Sequence, residues 1–188
     1  MFERLTEARV ALKEVVASLE PETLEGASAT QLVEEFASIE RLAAAGKALC
    51  AKRVADSGAW RHDGDRSAAR WMARTTGTSV GSALGVLETA ERVADLPATE
   101  TALCSGELSE LQAKEIVSAA AASPGSEREL LTIATTNSVS ELKERCATVK
   151  AAARSDELDR YEAIRARRRL RHFRDPDGAF HLDAVLTP

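Results

Sequence analysis

Apolar residues from Phe2 to Leu19 recur with a helical period between charged ones, and Pro21 ends the segment because a proline cannot continue the turn. Ser28-Ala-Thr-Gln31 has the form of a capping box and predicts a long helix reaching about Ser57. Within it Leu32, Phe36, Ile39, Ala43, Gly46 and Cys50 repeat at steps of four and three, a narrow seam of nearly heptad type. Its small members admit another helix at close range, either the first helix of the same chain or a second subunit. Gly58 to Gly64, with Trp60-Arg-His-Asp63 inside, breaks the pattern.

Arg66 to Leu87 then spells two helices joined by a tight turn. Ala73 precedes Gly77 by four residues, Thr78 and Ser79 stand in cap position, and Ala83 follows the glycine by six, which is the spacing of a helix-turn-helix. Glycine suits the turn because the first helix must end on a left-handed residue. Alanine suits the flanking positions because the two axes approach closely there. The second helix extends from Val80 to Ala94, Leu96-Pro97 ends it, and a short helix through Leu103 reaches Gly106. Ser109 caps a helix from Glu110 to Ala122, so Ala102, Gly106 and Ser109 repeat the rhythm of the first corner. After the loop Ser123-Pro-Gly125 comes a helix bearing Leu130, Leu131, Ile133 and Ala134. A last long helix starts near Ser140 and carries Leu142, Cys146, Val149, Leu158, Tyr161 and Ile164.

Beyond that the period falls to two. Leu170 to Arg174, the turn Asp175-Pro-Asp-Gly178 and Ala179 to Leu186 read as strand, turn and strand, with Phe180, Leu182, Ala184 and Leu186 on one face. The pattern predicts a mainly α fold, a multi-helix bundle with helix-turn-helix-like corners and a C-terminal β-hairpin. It divides into a helical domain, 1–164, and a basic segment with the hairpin, 165–188. No capping helix follows before Pro188, so a fragment of a longer protein with a further C-terminal domain is expected.

Composition narrows the core. Hydrophobic residues make up 44% of the chain but aromatic ones only 4%, so the core must consist of Ala, Leu and Val in closely packed helices. The formal net charge of −5 argues against a general nucleic-acid coat protein. Its distribution changes that picture: residues 1–164 hold 19 basic and 27 acidic residues, whereas 165–188 hold 6 and 3. Cys50, Cys104 and Cys146 are too scattered for a disulfide framework or a zinc site, and Cys50 and Cys146 lie on apolar stripes as buried free thiols. The opening residues are charged and amphipathic, unlike a signal peptide, and no stretch approaches the roughly 20 apolar residues that span a bilayer. A cytoplasmic protein is expected, with no membrane partner and no evident small-molecule substrate.

Four features carry candidate chemistry. A DNA-reading helix needs Arg, Lys, Asn or Gln on its first turns, but the second helix of the corner opens with Val80, Gly81, Ser82, Ala83, Leu84 and Gly85. That favours a packing corner inside a bundle. Gly77-Thr-Ser-Val-Gly81 matches a nucleophile-elbow pattern, yet a helix enters it where a strand is required, and Ser79 reads as an N-cap. His62, Asp63 and Asp65, and again His181 and Asp183, are metal-ligand types in sets too small for a site, and solvated side chains are the ordinary explanation. Arg165, Arg167, Arg168, Arg169, Arg171 and Arg174 place six guanidinium groups in ten residues, and their fixed fork and permanent charge suit phosphate oxygens. Pairing of these arginines with Glu157, Asp159 and Glu162 is the competing reading.

The stretches GDRSAARWMARTTG, ALGVLETAERVADLPATETAL, GELSELQAKEI and DPDGAFHLDAVL, with Trp71, Gly77, Leu96-Pro97, Gly106, Ser109 and Asp177-Gly178 in order, resemble the actinobacterial DUF222 family, also called the 13E12 repeat family. The resemblance covers most of the chain. It implies a helical N-terminal part followed by an HNH endonuclease domain that cuts DNA with one divalent metal ion. An HNH site needs clustered histidines and an asparagine, whereas Asn137 is the only asparagine here and His62, His172 and His181 are the histidines. The resemblance therefore places the catalytic residues, and any divalent metal, beyond Pro188, and implies no catalytic residue, metal ligand or cofactor in this chain. The expectation is a non-catalytic N-terminal domain that binds DNA through the six arginines or positions the nuclease. A homodimerisation or protein-interaction module without DNA contact is the alternative.

Overall fold

The computed structural model describes residues 1–153, 157–174 and 176–185, with only the backbone described for 157–160. The fold is mainly α with a C-terminal two-stranded antiparallel hairpin. The chain divides into two compact units, Met1–Glu40 and Arg41–Pro188.

In the first unit, α1 spans Phe2–Ala17, a short 3-10 turn spans Pro21–Thr23, and α2 (Gly26–Ser57) begins. Pro21 sits at the first position of its turn, where a missing N–H costs nothing. The capping box at Ser28 is not used. The helix starts two residues earlier, the Ala29 N–H donates to the Glu25 carbonyl at 2.9 Å, and Ser28 and Gln31 lie inside the first turns. No residue of Met1–Glu40 is buried.

The second unit takes the rest of α2 as its first wall. Ala45, Ala48 and Ala51 are buried, while Ala43, Gly46 and Cys50 are exposed, so the helix buries a different face from the expected seam. Among the described residues, a methyl group at Gly46 would meet nothing within 4 Å. Cys50 is correspondingly an exposed thiol and not a buried one, whereas Cys146 is buried as expected.

A 3-10 turn, Ala59–Asp63, sits between left-handed Gly58 and Gly64 and leads to α3 (Ala68–Thr76) and α4 (Val80–Arg92). After a second 3-10 turn, Val93–Asp95, come α5 (Pro97–Cys104), α6 (Glu110–Ala120), α7 (Glu127–Thr136) and α8 (Val139–Ala152). The expected single last helix is two, with α9 at Glu157–Ala166 and residues 154–156 outside the described set. Of the expected stripe, Leu142, Cys146 and Val149 on α8 are buried, whereas on α9 Tyr161 is exposed and Ile164 half-buried, and the Leu158 side chain lies outside the described set.

The core centres on α6, whose Ala113, Ile116, Val117, Ala119 and Ala120 are all buried against α4, α5, α7 and α8. Three clusters fill it: one with Leu108, Ile116, Leu130, Leu142 and Cys146, a second with Met72, Ala73, Ala83 and Val86, and a third with Val93, Leu103 and Val117. Alanine dominates because small side chains let the helix axes come close, and each fully buried Leu or Met still contributes about 1.5–3 kcal/mol.

The two corners are built alike. Gly77 and Gly106 have φ of 69° and 77°, and the following N–H groups, of Thr78 and Glu107, each donate at 3.0 Å to a carbonyl five residues back, Ala73 and Ala102. Ser79 then caps α4 by accepting from the Ser82 N–H, and Ser109 caps α6 in a reciprocal box with Gln112. Ser67 caps α3 by accepting from the Arg70 N–H, and Ser138 with Glu141 opens α8.

Strands β1 (Arg169–Arg174) and β2 (Phe180–Val185) pair antiparallel, with Arg169 opposite Val185 and Arg174 opposite Phe180. Gly178 has the positive φ, 87°, expected of the Asp-Gly turn. Phe180, Leu182 and Ala184 share a face as expected, while Leu186 lies outside the described residues, as do Asp175 and Pro188.

Candidate nucleic-acid interface

The six arginines straddle a change of secondary structure. Arg165 lies in the last turn of α9, Arg167 and Arg168 form the link, and Arg169, Arg171 and Arg174 stand on β1. The helix closes locally: the Arg167 N–H donates to the Ile164 carbonyl at 3.1 Å and its Nε to that of Ala163 at 3.2 Å. All six side chains are exposed.

Strand alternation splits the cluster. Arg169 and Arg171 share one face with Phe173, His181 and Asp183, whereas Arg174 stands on the other with Leu170, Phe180 and Leu182. On the first face Arg169 Nη2 meets Asp183 Oδ2 at 3.0 Å, and the Phe173 and His181 rings stack with centroids 4.9 Å apart and planes at 7°. On the second, the Arg174 guanidinium lies 4.2 Å from the Phe180 ring centroid.

Of the acids of α9 expected to pair with these arginines, only the Glu162 side chain is among the described residues. Glu162 is exposed and makes no ion pair among the described residues, and the side chains of Glu157 and Asp159 lie outside them. Arg169 finds its acid across the hairpin instead, because the register brings Asp183 diagonally beside it. Arg165, Arg168 and Arg171 have no ion-pair partner among the described residues.

The first corner offers no comparable chemistry. Ala83 is fully buried, and the exposed opening of α4 consists of Val80, Gly81, Ser82 and Leu84. Beside it a cleft of about 100 Å³ is lined by Gly85, Glu88, Arg92, Lys114 and Ser118, a mixture of both charges. A Cβ at Gly85 would stand 3.3 Å from Lys114 Nζ, so the glycine leaves room for that side chain to cross α4.

Asp63 and Asp65 are engaged as hydrogen-bond acceptors. Trp71 Nε1 donates to Asp63 at 2.8 Å, and Arg74 Nη2 donates to Asp65 at 2.7 Å and Asp63 at 3.4 Å. The Asp65 hydrogen bond, and then its charge, hold the Arg74 pKa above its ordinary value. Among the described residues no group of three or more His, Cys, Asp or Glu side chains is arranged to hold a metal ion, and no helix is long and apolar enough to cross a membrane.

Sequence reading misses three polar ties. Glu127 Oε1 accepts from both the N–H and the hydroxyl of buried Thr99, at 2.8 and 2.9 Å, and so caps α5 from another helix. Arg41 Nε donates to the Gly106 carbonyl. Gln112 Nε2 donates to the Ala134 carbonyl at 2.7 Å. Only the Gln112 box leaves a local signal, the Ser-x-x-Gln spacing. Comparison with protein-family models, curated proteins and solved structures finds no match to this chain.

Proposed function

We propose that this chain is a non-catalytic helical domain that contacts DNA through residues 165–174 and presents it to, or positions, a nuclease domain of the DUF222 type. One observation carries the reading: in an acidic chain, six exposed arginines cluster on a helix end, a link and a strand, and Arg165, Arg168 and Arg171 lack an ion-pair partner among the described residues. Unpaired guanidinium groups retain their hydration and charge for phosphate oxygens.

Replacing Arg165, Arg168 and Arg171 by Ala tests it. Binding should weaken across all DNA sequences, and the log-log salt slope should flatten by roughly 2 to 3, at about 0.7–0.9 per phosphate contact. Equal affinity and slope in variant and parent would sink the reading.

A second reading, a self-associating or partner-binding module, rests on Met1–Glu40. That unit buries no residue and leaves Phe2, Leu5, Val16 and Val33 more than half exposed, apolar side chains that a partner would cover.

A further inference from the structure

We infer that the hairpin takes unpaired bases, so that the DNA this segment contacts is single-stranded; the inference rests on the DNA reading above. The chain has only four phenylalanines, and two of them, Phe173 and Phe180, stand on the twelve residues of β1 and β2, 55% and 69% exposed. Neither serves the core. Each ring is instead backed on one side by a group that holds it upright, Phe173 by His181 and Phe180 by the Arg174 guanidinium. A ring braced in this way offers its exposed surface to a base at little entropic cost, and stacking tolerates any sequence because every base has a π-face.

The charges fit the same ligand. Arg171 shares the Phe173 face and Arg174 shares the Phe180 face, so a cation stands beside each ring where a backbone would pass, while Arg165 and Arg168 precede β1 at the other end of the hairpin. Asp183, the acid on the Phe173 face, is neutralised by Arg169. Duplex DNA fits less well. Its bases already stack on one another, neither face of the hairpin carries an Asn or Gln, and of the two arginines on the Phe173 face Arg169 is held by Asp183.

Fluorescence anisotropy with a thymidine oligomer, a duplex of equal length and a uridine oligomer tests this on the whole chain. The parent should prefer the thymidine strand to the duplex. Phe173→Leu and Phe180→Leu should each weaken single-strand binding roughly 5- to 100-fold and leave duplex binding nearly unchanged, and Phe→Tyr at either position should restore it. A 2-aminopurine base in the strand should lose fluorescence on binding the parent and not on binding the double Leu variant. Equal single-strand affinity of parent and Leu variants, duplex preferred to single strand, or a Tyr variant as weak as Leu would overturn the inference while arginine-dependent binding kept the phosphate reading alive. Tighter binding of the uridine strand would overturn the assignment to DNA. Absence of salt-dependent binding to any of the three would overturn both.

Discussion

Gly77 shows how one residue type decides a turn. A Cβ there would meet nothing within 4 Å, so its cost is conformational and not steric crowding. With φ at 69°, Gly77→Val should cost about 1–3 kcal/mol, because a β-branched residue holds the left-handed region badly, whereas Gly77→Asn should cost less. Urea denaturation showing Val as stable as Gly would contradict this account. Glu141 gives a residue-scale pH effect. The hydroxyl and then the backbone N–H of Ser138 hydrogen-bond its carboxylate, which lowers its pKa from the ordinary value. The sign follows: stability from this cap is complete above the unfolded carboxyl pKa of about 4.3, and is lost as pH falls through the lower folded value. In NMR titration Glu141 should reach its midpoint below the ordinary carboxyl value, and Ser138→Ala should return it towards that value. A midpoint in the ordinary range would refute the cap as its cause.

At the scale of elements, the joints between helices matter more than the helices. α5 is eight residues long, begins at Pro97 and receives no cap from its own Leu96. Glu127 at the start of α7 fills that role, so one carboxylate satisfies two buried donors of Thr99 and links the two helices. Glu127→Ala should therefore lose about 1–3 kcal/mol, the cost of leaving buried donors unmet, and Glu127→Gln, which keeps an acceptor, should lose less. Equal stability of Ala variant and parent in thermal melts would show that water replaces the carboxylate freely. The hairpin follows another logic. It offers polar and apolar groups on both faces, so its stability rests on cross-strand pairs such as Phe173–His181 and Arg169–Asp183 and not on burial.

For the whole molecule, the contrast lies between a body with a dense alanine-rich core and an N-terminal unit without any buried residue. On the module reading that surface associates with its own copy. Sedimentation should then show mass rising with concentration from 20.2 kDa towards twice that value, and Phe2→Glu with Leu5→Glu should abolish the rise without affecting the melt. A constant 20.2 kDa at all concentrations would rule out self-association and leave a different protein as the partner. On the DNA reading, the net negative charge of residues 1–164 disfavours phosphate there and concentrates contact at residues 165–174.

What the sequence determined by itself was local. Left-handed Gly77, Gly106 and Gly178, the caps at Ser79 and Ser109, and the hairpin follow from neighbours within about six residues, because turns and caps are closed by short-range hydrogen bonds. The arginine cluster was equally legible, since charge density needs no fold. Tertiary structure decided which face of α2 is buried, since Ala45, Ala48 and Ala51 compete with an equally periodic seam and only the partners choose between them, α3 and α4 for Ala48 and Ala51, α5 and α6 for Ala45. It also made the ties from Arg41 to Gly106 and from Glu127 to Thr99, separated by 65 and 28 residues, for which no spacing rule exists. The division of the arginines between two faces, and the pairing of Phe173 with His181, came from strand register, because a shift of one residue would have exchanged every side chain between the faces.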